Sequence, residues 1–159
     1  RRKVILKDKG DAMKLFVVFG ANLNKLGSRE KIYGNFTIDE LKQVIVDYCG
    51  CSCDVEFCVS NREGELIDAI QNCDADAVIL NAGGFSHTSV AIADALRMLN
   101  AFKIEVHLTN IFGRESFRHD SITAAACDGV ICGFSIDGYK AAIDCCIHSS
   151  HVKISPFLP

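Results

Sequence analysis

The chain of 159 residues has no tryptophan, and its two prolines, Pro156 and Pro159, both lie among the last few positions. Proline therefore interrupts no strand or helix before them. No run approaches the ~20 apolar residues a membrane-spanning helix needs, and no segment reads as a secretory signal; the expectation is a soluble, cytoplasmic protein with no membrane partner. Positive charge is scarce too. Seventeen Lys and Arg against 20 Asp and Glu leave a net charge of −3, without the clustered basic face that binds nucleic acid. The signatures GxGxxG, GxxxxGK(S/T) and GxSxG are all missing, which lowers the reading of a nucleotide site or a serine nucleophile. Repeats and low-complexity runs are absent.

Cysteine runs the other way, with nine residues. An odd count without a secretory signal does not read as a disulfide framework. The cluster Cys49, Cys51, Cys53 and Cys58 contains CxCxC, not paired CxxC knuckles, and the histidines lie elsewhere, so a zinc site is not expected. Reduced, mostly buried thiols are the better reading, with Cys145 and Cys146 packing a helix.

Nearly half of the residues are apolar, enough for one full core. Residues 1–12, RRKVILKDKGDA, are charged and precede Met13, a natural start, so they read as an extension outside the core; an arm packed on a neighbouring subunit is the alternative. The domain then spans 13–150, and 151–159 is a tail that either packs on it or extends away. Apolar runs suited to buried parallel strands recur at 15–19, 53–59, 75–80, 104–108 and 129–132. Between them lie helix-period segments, two with capping-box starts: Thr37 with Glu40, and Ser60 with Glu63. Alternating strands and helices predict an α/β fold, a doubly wound parallel sheet of five strands with helices on both faces.

Three strands end in polar residues. After the apolar DAVIL comes NAGGFSHTS (81–89), an amide, two glycines, an imidazole and three hydroxyls; GANLNKLGSREKIYG follows the first strand and IFGRESFRHDS the fourth. Ligands of open parallel sheets bind at that C-terminal edge. The candidate residues there are Asn22, Arg29, Tyr33, Asn81, His87, Glu105, His107, Arg114 and Arg118, and the irregular segment 21–35 is long enough to be a lid. No obvious nucleophile is among them. The set suits proton transfer on a carboxylated small molecule. Glu105 and His107, two apart on a strand, share a face, either as a general acid with its partner or as a structural pair. Tyr33 is either a loop anchor or a base; as a base it must ionise far below a reference value near 10, and Arg29 and Arg114 are the cations to favour that.

Taken together, GANLNKLGSRE-K-IYG, SNREGELIDAI, VILNAGGFSHTSVAIADAL, IEVHLTNIFGRESFRHDS and VICGFSIDGYKAAI resemble the type II 3-dehydroquinate dehydratases, from 15 to 147. The resemblance implies a flavodoxin-like domain assembled as trimers into a dodecamer, which converts 3-dehydroquinate to 3-dehydroshikimate by anti elimination of water through an enolate, without cofactor or metal. It also implies roles. Tyr33 matches the base, Arg29 the arginine that holds the base ionised, Asn22 the residue placing a water on the enolate oxygen, His107 the general acid and Glu105 its orienting partner. Asn81, His87 and Arg118 match substrate-binding positions, the backbone of Leu108 and Thr109 the carboxylate cradle, and Asp94 a residue reaching a neighbouring subunit's site. Arg114 is expected beside the base. Phe19, Ala21, Lys31, Phe112 and Gly113 depart from the family's usual residues and are expected to loosen the lid. Aromatic biosynthesis and quinate breakdown both use this reaction. A degenerate, non-catalytic scaffold and a flavodoxin-like nucleotide or flavin binder are the competing readings.

Overall fold

In the first strand, β1 (Met13–Phe19), Leu15, Val17 and Phe19 face one way and Phe16 and Val18 the other, and all five are buried. A strand buried on both faces belongs inside a sheet covered on each side. The computed structural model describes residues 12–149, so the expected extension, apart from Ala12, and the tail at 151–159 lie outside the described residues. After β1 come α1 (Ile38–Cys49), β2 (Cys53–Val59), α2 (Glu63–Asn72), β3 (Ala77–Asn81), α3 (Val90–Met98), β4 (Phe102–His107), β5 (Gly129–Cys132) and α4 (Asp137–Ser149). The strands form one parallel sheet in the order β2-β1-β3-β4-β5, the flavodoxin-like arrangement.

Two cores follow from the alternation. Leu15, Val17, Phe19, Ile79, Ile104 and Val106 pack with Leu41 and Ile45 of α1 and Ile143 of α4. Phe16, Val18, Val78 and Leu80 pack with Leu66 and Ile70 of α2 and Ile92 and Leu96 of α3. The register places Phe19 level with Asn81 and Leu80 level with Glu105, which brings the polar exits of neighbouring strands to one edge.

The first capping box is present: Thr37 Oγ1 accepts from Glu40 N at 3.2 Å, and Glu40 accepts from Thr37 N at 2.7 Å. The second is not. Ser60 N is tied to the Phe19 carbonyl, so Ser60 still belongs to the strand exit; its hydroxyl accepts from Arg62 N and donates to Glu65, and α2 starts after Arg62 without a side-chain cap. β3 starts two residues later than the apolar run and takes in Asn81.

All nine cysteines are free, but only Cys49, Cys53 and Cys146 are buried, while Cys51 and Cys145 are exposed and the other four are half-buried. The expectation of mostly buried thiols is corrected on this point: adjacent helix positions face different directions, so Cys145 points outward where Cys146 points in. Burial, followed by neighbouring thiols, pushes Cys49 and Cys146 up to about 12. A thiol reagent at neutral pH should therefore label Cys51 and Cys145 first and leave Cys49 and Cys146 for last, as peptide mass spectrometry would show.

At the sheet edge the exits of β1 and β3 touch. Gly20 N donates to the Asn81 carbonyl at 2.8 Å, a Cβ on Gly20 would land on the Ala82 carbonyl, and one on Gly83 would land on that of Ala21. We expect Gly20→Ala to lower the urea midpoint and disorder the edge. Gly64→Ala, where a Cβ meets nothing in the first turn of α2, should instead raise stability by about 0.5 kcal/mol.

Candidate active site

Beyond β1 the chain turns at Asn22, which holds a left-handed backbone (φ 68) and whose N–H is held by Asn61 Oδ1 at 2.8 Å. Asparagine is one of the few side chains that tolerates that conformation. The segment 21–35 then makes two short 3-10 turns, Leu23–Lys25 and Lys31–Tyr33. Leu23 and Leu26 are buried in the core, and Tyr33 and Phe36 pack against it. Anchored this way, the segment presents Arg29 and Tyr33 to the cleft.

Two guanidiniums meet Tyr33. Arg114 Nη1 donates to its hydroxyl at 3.2 Å, and Arg29 Cζ lies 4.1 Å from the ring centroid. The hydroxyl contact, ahead of the charges of Tyr33 and Glu115, pushes the already high Arg114 pKa up further. Glu115 ties Arg114 (3.2 Å) to Arg118 (3.0 Å). Its own backbone amide, and then these arginines, hold its carboxyl below the usual range.

Across the cleft, β4 carries Glu105 and His107. Glu105 is fully buried and its Oε1 accepts from His107 Nε2 at 2.6 Å. The same oxygen accepts from Ser121 Oγ at 2.6 Å, and Oε2 accepts from Thr123 Oγ1. His107 stacks on His87, with centroids 6.2 Å apart. His87 Nδ1 lies 2.7 Å from the Asp120 carbonyl; a carbonyl only accepts, so Nδ1 carries the proton and Nε2 of neutral His87 is an acceptor. Below, Asn81 donates through Nδ2 to the buried Tyr139 hydroxyl at 2.8 Å and accepts from Gly83 N at 3.2 Å. The Gly83 N–H can only donate, which fixes which end of the amide is oxygen.

Ten of the twelve residues singled out from the sequence line one cleft of about 110 Å³: Asn22, Arg29, Tyr33, Asn81, His87, His107, Leu108, Thr109, Arg114 and Arg118. Glu105 lies behind His107. Asp94 does not reach this cleft; it is exposed on α3, paired with Arg97 at 2.7 Å. A larger recess, about 910 Å³, runs along the outer strand β2, but its lining includes no histidine or arginine. The histidines and arginines singled out from the sequence are all at the smaller cleft.

Residues 13–147 match the family described as Dehydroquinase class II. The chain belongs to this family. A 3-dehydroquinate dehydratase of Thermotoga neapolitana is 48% identical over 134 residues, covering 83% of this chain and 92% of that one. One from Helicobacter acinonychis is 48% identical over 138 residues, 82% of each. Among solved structures, a type II dehydroquinase from Butyrivibrio crossotus superposes with TM-score 0.81 at 45% identity, over 84% of this chain and 96% of that one, and one from Propionibacterium acnes with 0.82 at 37%, over 87% and 98%.

Five further contributors to this class II dehydroquinase cleft escaped the sequence reading: Asn61, Glu115, Ser121, Thr123 and Tyr139. Tyr139 both packs and hydrogen-bonds: it is fully buried, and burial pushes its hydroxyl pKa well up. Removing that hydroxyl leaves the buried Asn81 amide short of an acceptor. Tyr139→Phe should therefore cost about 1–3 kcal/mol in unfolding free energy, measured by urea denaturation.

Proposed function

We propose that the protein eliminates water from 3-dehydroquinate to give 3-dehydroshikimate, acting as a carbon–oxygen lyase of the shikimate pathway in the cytoplasm. The observation that carries this is the pairing, within one cleft, of a tyrosine under two guanidiniums with an imidazole backed by a buried carboxylate. Family membership and relatives named 3-dehydroquinate dehydratase support the reaction class.

Tyr33, as phenolate, takes the proton next to the ketone. The Arg29 and Arg114 charges stabilise the negative oxygen that this needs. The electron pair moves to the ketone oxygen as an enolate, where a water positioned by Asn22 donates a hydrogen bond; preorganised donors have most effect at such a developing charge. As the enolate collapses, the C–O bond breaks and His107, in its protonated form, delivers its proton to the leaving hydroxyl. Glu105 keeps the ring oriented. One water is lost, and the proton on Tyr33 returns through solvent to His107. Asn81, His87 and Arg118 hold the substrate, with the backbone at Leu108 and Thr109 receiving its carboxylate. Closure of the 21–35 segment excludes water from these steps. No cofactor or metal enters the scheme.

Asp94 acts in a neighbouring copy. It shares one face of α3 with Val90 and Met98, four residues to either side, and both are exposed, at 58% and 71%. Such an apolar face suits burial between copies, in a trimer that associates into a dodecamer.

Adding 3-dehydroquinate to the purified protein, with chelator present, should produce conjugated-enone absorbance. Tyr33→Phe and His107→Ala should each lower kcat by about 10²–10⁴-fold. Absence of turnover by the assembled wild type would leave the fold as a non-catalytic scaffold.

A further inference from the structure

Glu105 is a carboxylate with no exposed surface, the kind of group that proteins bury only when its charge is matched by donors. Three donors converge on it. One is His107; the others are hydroxyls from the loop after the Ser116–Arg118 turn, Ser121 Oγ on Oε1 at 2.6 Å and Thr123 Oγ1 on Oε2. The direction of these hydroxyls is settled by their other contacts. Ala124 N–H donates to Ser121 Oγ at 3.2 Å, and of the two acceptors within reach of that hydroxyl's hydrogen, Glu105 Oε1 at 2.6 Å is far closer than the Ser86 carbonyl at 3.4 Å. Were Glu105 protonated toward Thr123, the Thr123 hydrogen would be left with only Ser121 Oγ, 3.4 Å away. The pattern is that of donors around a carboxylate.

We propose that Ser121 and Thr123 are positioning residues for the proton transfer at His107: by holding Glu105 as a fixed carboxylate, they keep the shared proton on the imidazole instead of the carboxyl. The Glu–His pair can hold one proton in two ways, as imidazolium with carboxylate or as imidazole with carboxylic acid. Only the first can donate from His107 to a leaving hydroxyl. Hydroxyl donors stabilise the carboxylate form and so favour the first.

The other groups around the pair do not supply this. His87 stacks on the far side of His107 and is engaged by Asp120. Arg114, Arg118, Arg29 and Tyr33 line the cleft in front. Behind Glu105 lies Cys127, flanked by Lys103 and Asp128; its thiol is pushed up by burial first and then by the Glu105 charge, so it stays neutral. Ser121 and Thr123 are thus the neutral donors closest to this carboxylate. Their segment is itself held by Ile122 N on the Ser86 carbonyl at 2.8 Å, next to His87, so one short loop sets both imidazoles.

The role of His107 rests on the dehydration reading, but the test does not depend on it alone. Thr123→Val and Ser121→Ala should each lower kcat about tenfold to a hundredfold with KM within about twofold of wild type. Across a pH titration of the wild type and both variants, ¹⁵N spectra of His107 should show the imidazolium pattern weakened in the variants. Thr123→Ser should recover kcat and spectrum together. Unchanged kcat beside an active wild type would overturn the proposal, as would a kcat loss with an unaltered His107 spectrum, which would leave the hydroxyls a purely structural part. A wild type without turnover would sink the dehydratase reading instead, and the spectra would still decide this one.

Discussion

The cleft exists because two parallel strands run side by side to their ends and then part. β1 and β3 are neighbours through Phe19 and Asn81, and their next residues meet backbone to backbone, with Gly20 against Ala82 and Gly83 against Ala21. Any side chain at either glycine would push the exits apart. From this contact the chain leaves in two directions, through the left-handed Asn22 toward Tyr33 and through Gly83 (φ 61) toward His87. This is the switch point of a doubly wound sheet. Its neighbour β4 delivers Glu105 and His107 to the same edge. The cleft's groups, drawn from segments far apart in sequence, converge because the backbone contact fixes where each segment starts.

Electrostatically the two walls differ in kind. Arg29, Arg114 and Arg118 stand at the mouth, partly exposed; Arg29 pairs with the exposed Glu30, and Arg114 and Arg118 share Glu115, which is half exposed. Exposed pairs of this kind contribute little and are screened by salt. They leave the mouth positive, which suits an anionic substrate. The opposite wall holds one carboxylate in the interior, where an unmatched charge would be costly, and it is matched by three hydrogen bonds. A loosely compensated positive rim and a tightly compensated negative floor are what a carboxylated substrate and a fixed acid respectively call for.

The fold was legible in the sequence because its information is periodic. Strand runs, the Thr37 capping box and the polar strand exits all repeat at spacings that local geometry dictates. The Ser60 box failed because a local pattern cannot know that Ser60 N is occupied by the Phe19 carbonyl, forty-one positions earlier in the chain. The site divides along the same line. Residues at strand ends announced themselves; Asn61, Tyr139, Ser121 and Thr123 did not, since each acts on a partner brought near only by the fold. Serine and threonine near a histidine look like ordinary loop residues until a buried carboxylate is seen behind them. Asp94 shows the converse: expected at a site from the resemblance, it lies on the exposed side of α3, paired with Arg97 and away from the cleft of its own chain.

The positions expected to depart from the family's usual residues can each be placed in the packing. Phe19 has the parity of Val17 and points into the α1/α4 core, its ring 6.2 Å from Phe57 and 5.8 Å from Tyr139. It therefore presses on the same tyrosine whose hydroxyl steadies Asn81. Ala21 lines the cleft with its backbone against Gly83. Lys31 and Phe112 are exposed, and the turn at Phe112 is held by Asn110 Oδ1 at 3.1 Å. The 21–35 segment, which has no proline, is held by two buried leucines and the packed ring of Tyr33, with Phe36 packed just after it. Side-chain burial fixes where a loop sits without restricting its dihedrals in the unfolded chain, whereas proline does the reverse. The anchoring of this segment is consequently tied to the integrity of the core beneath it, which it shares with Phe19 and Tyr139.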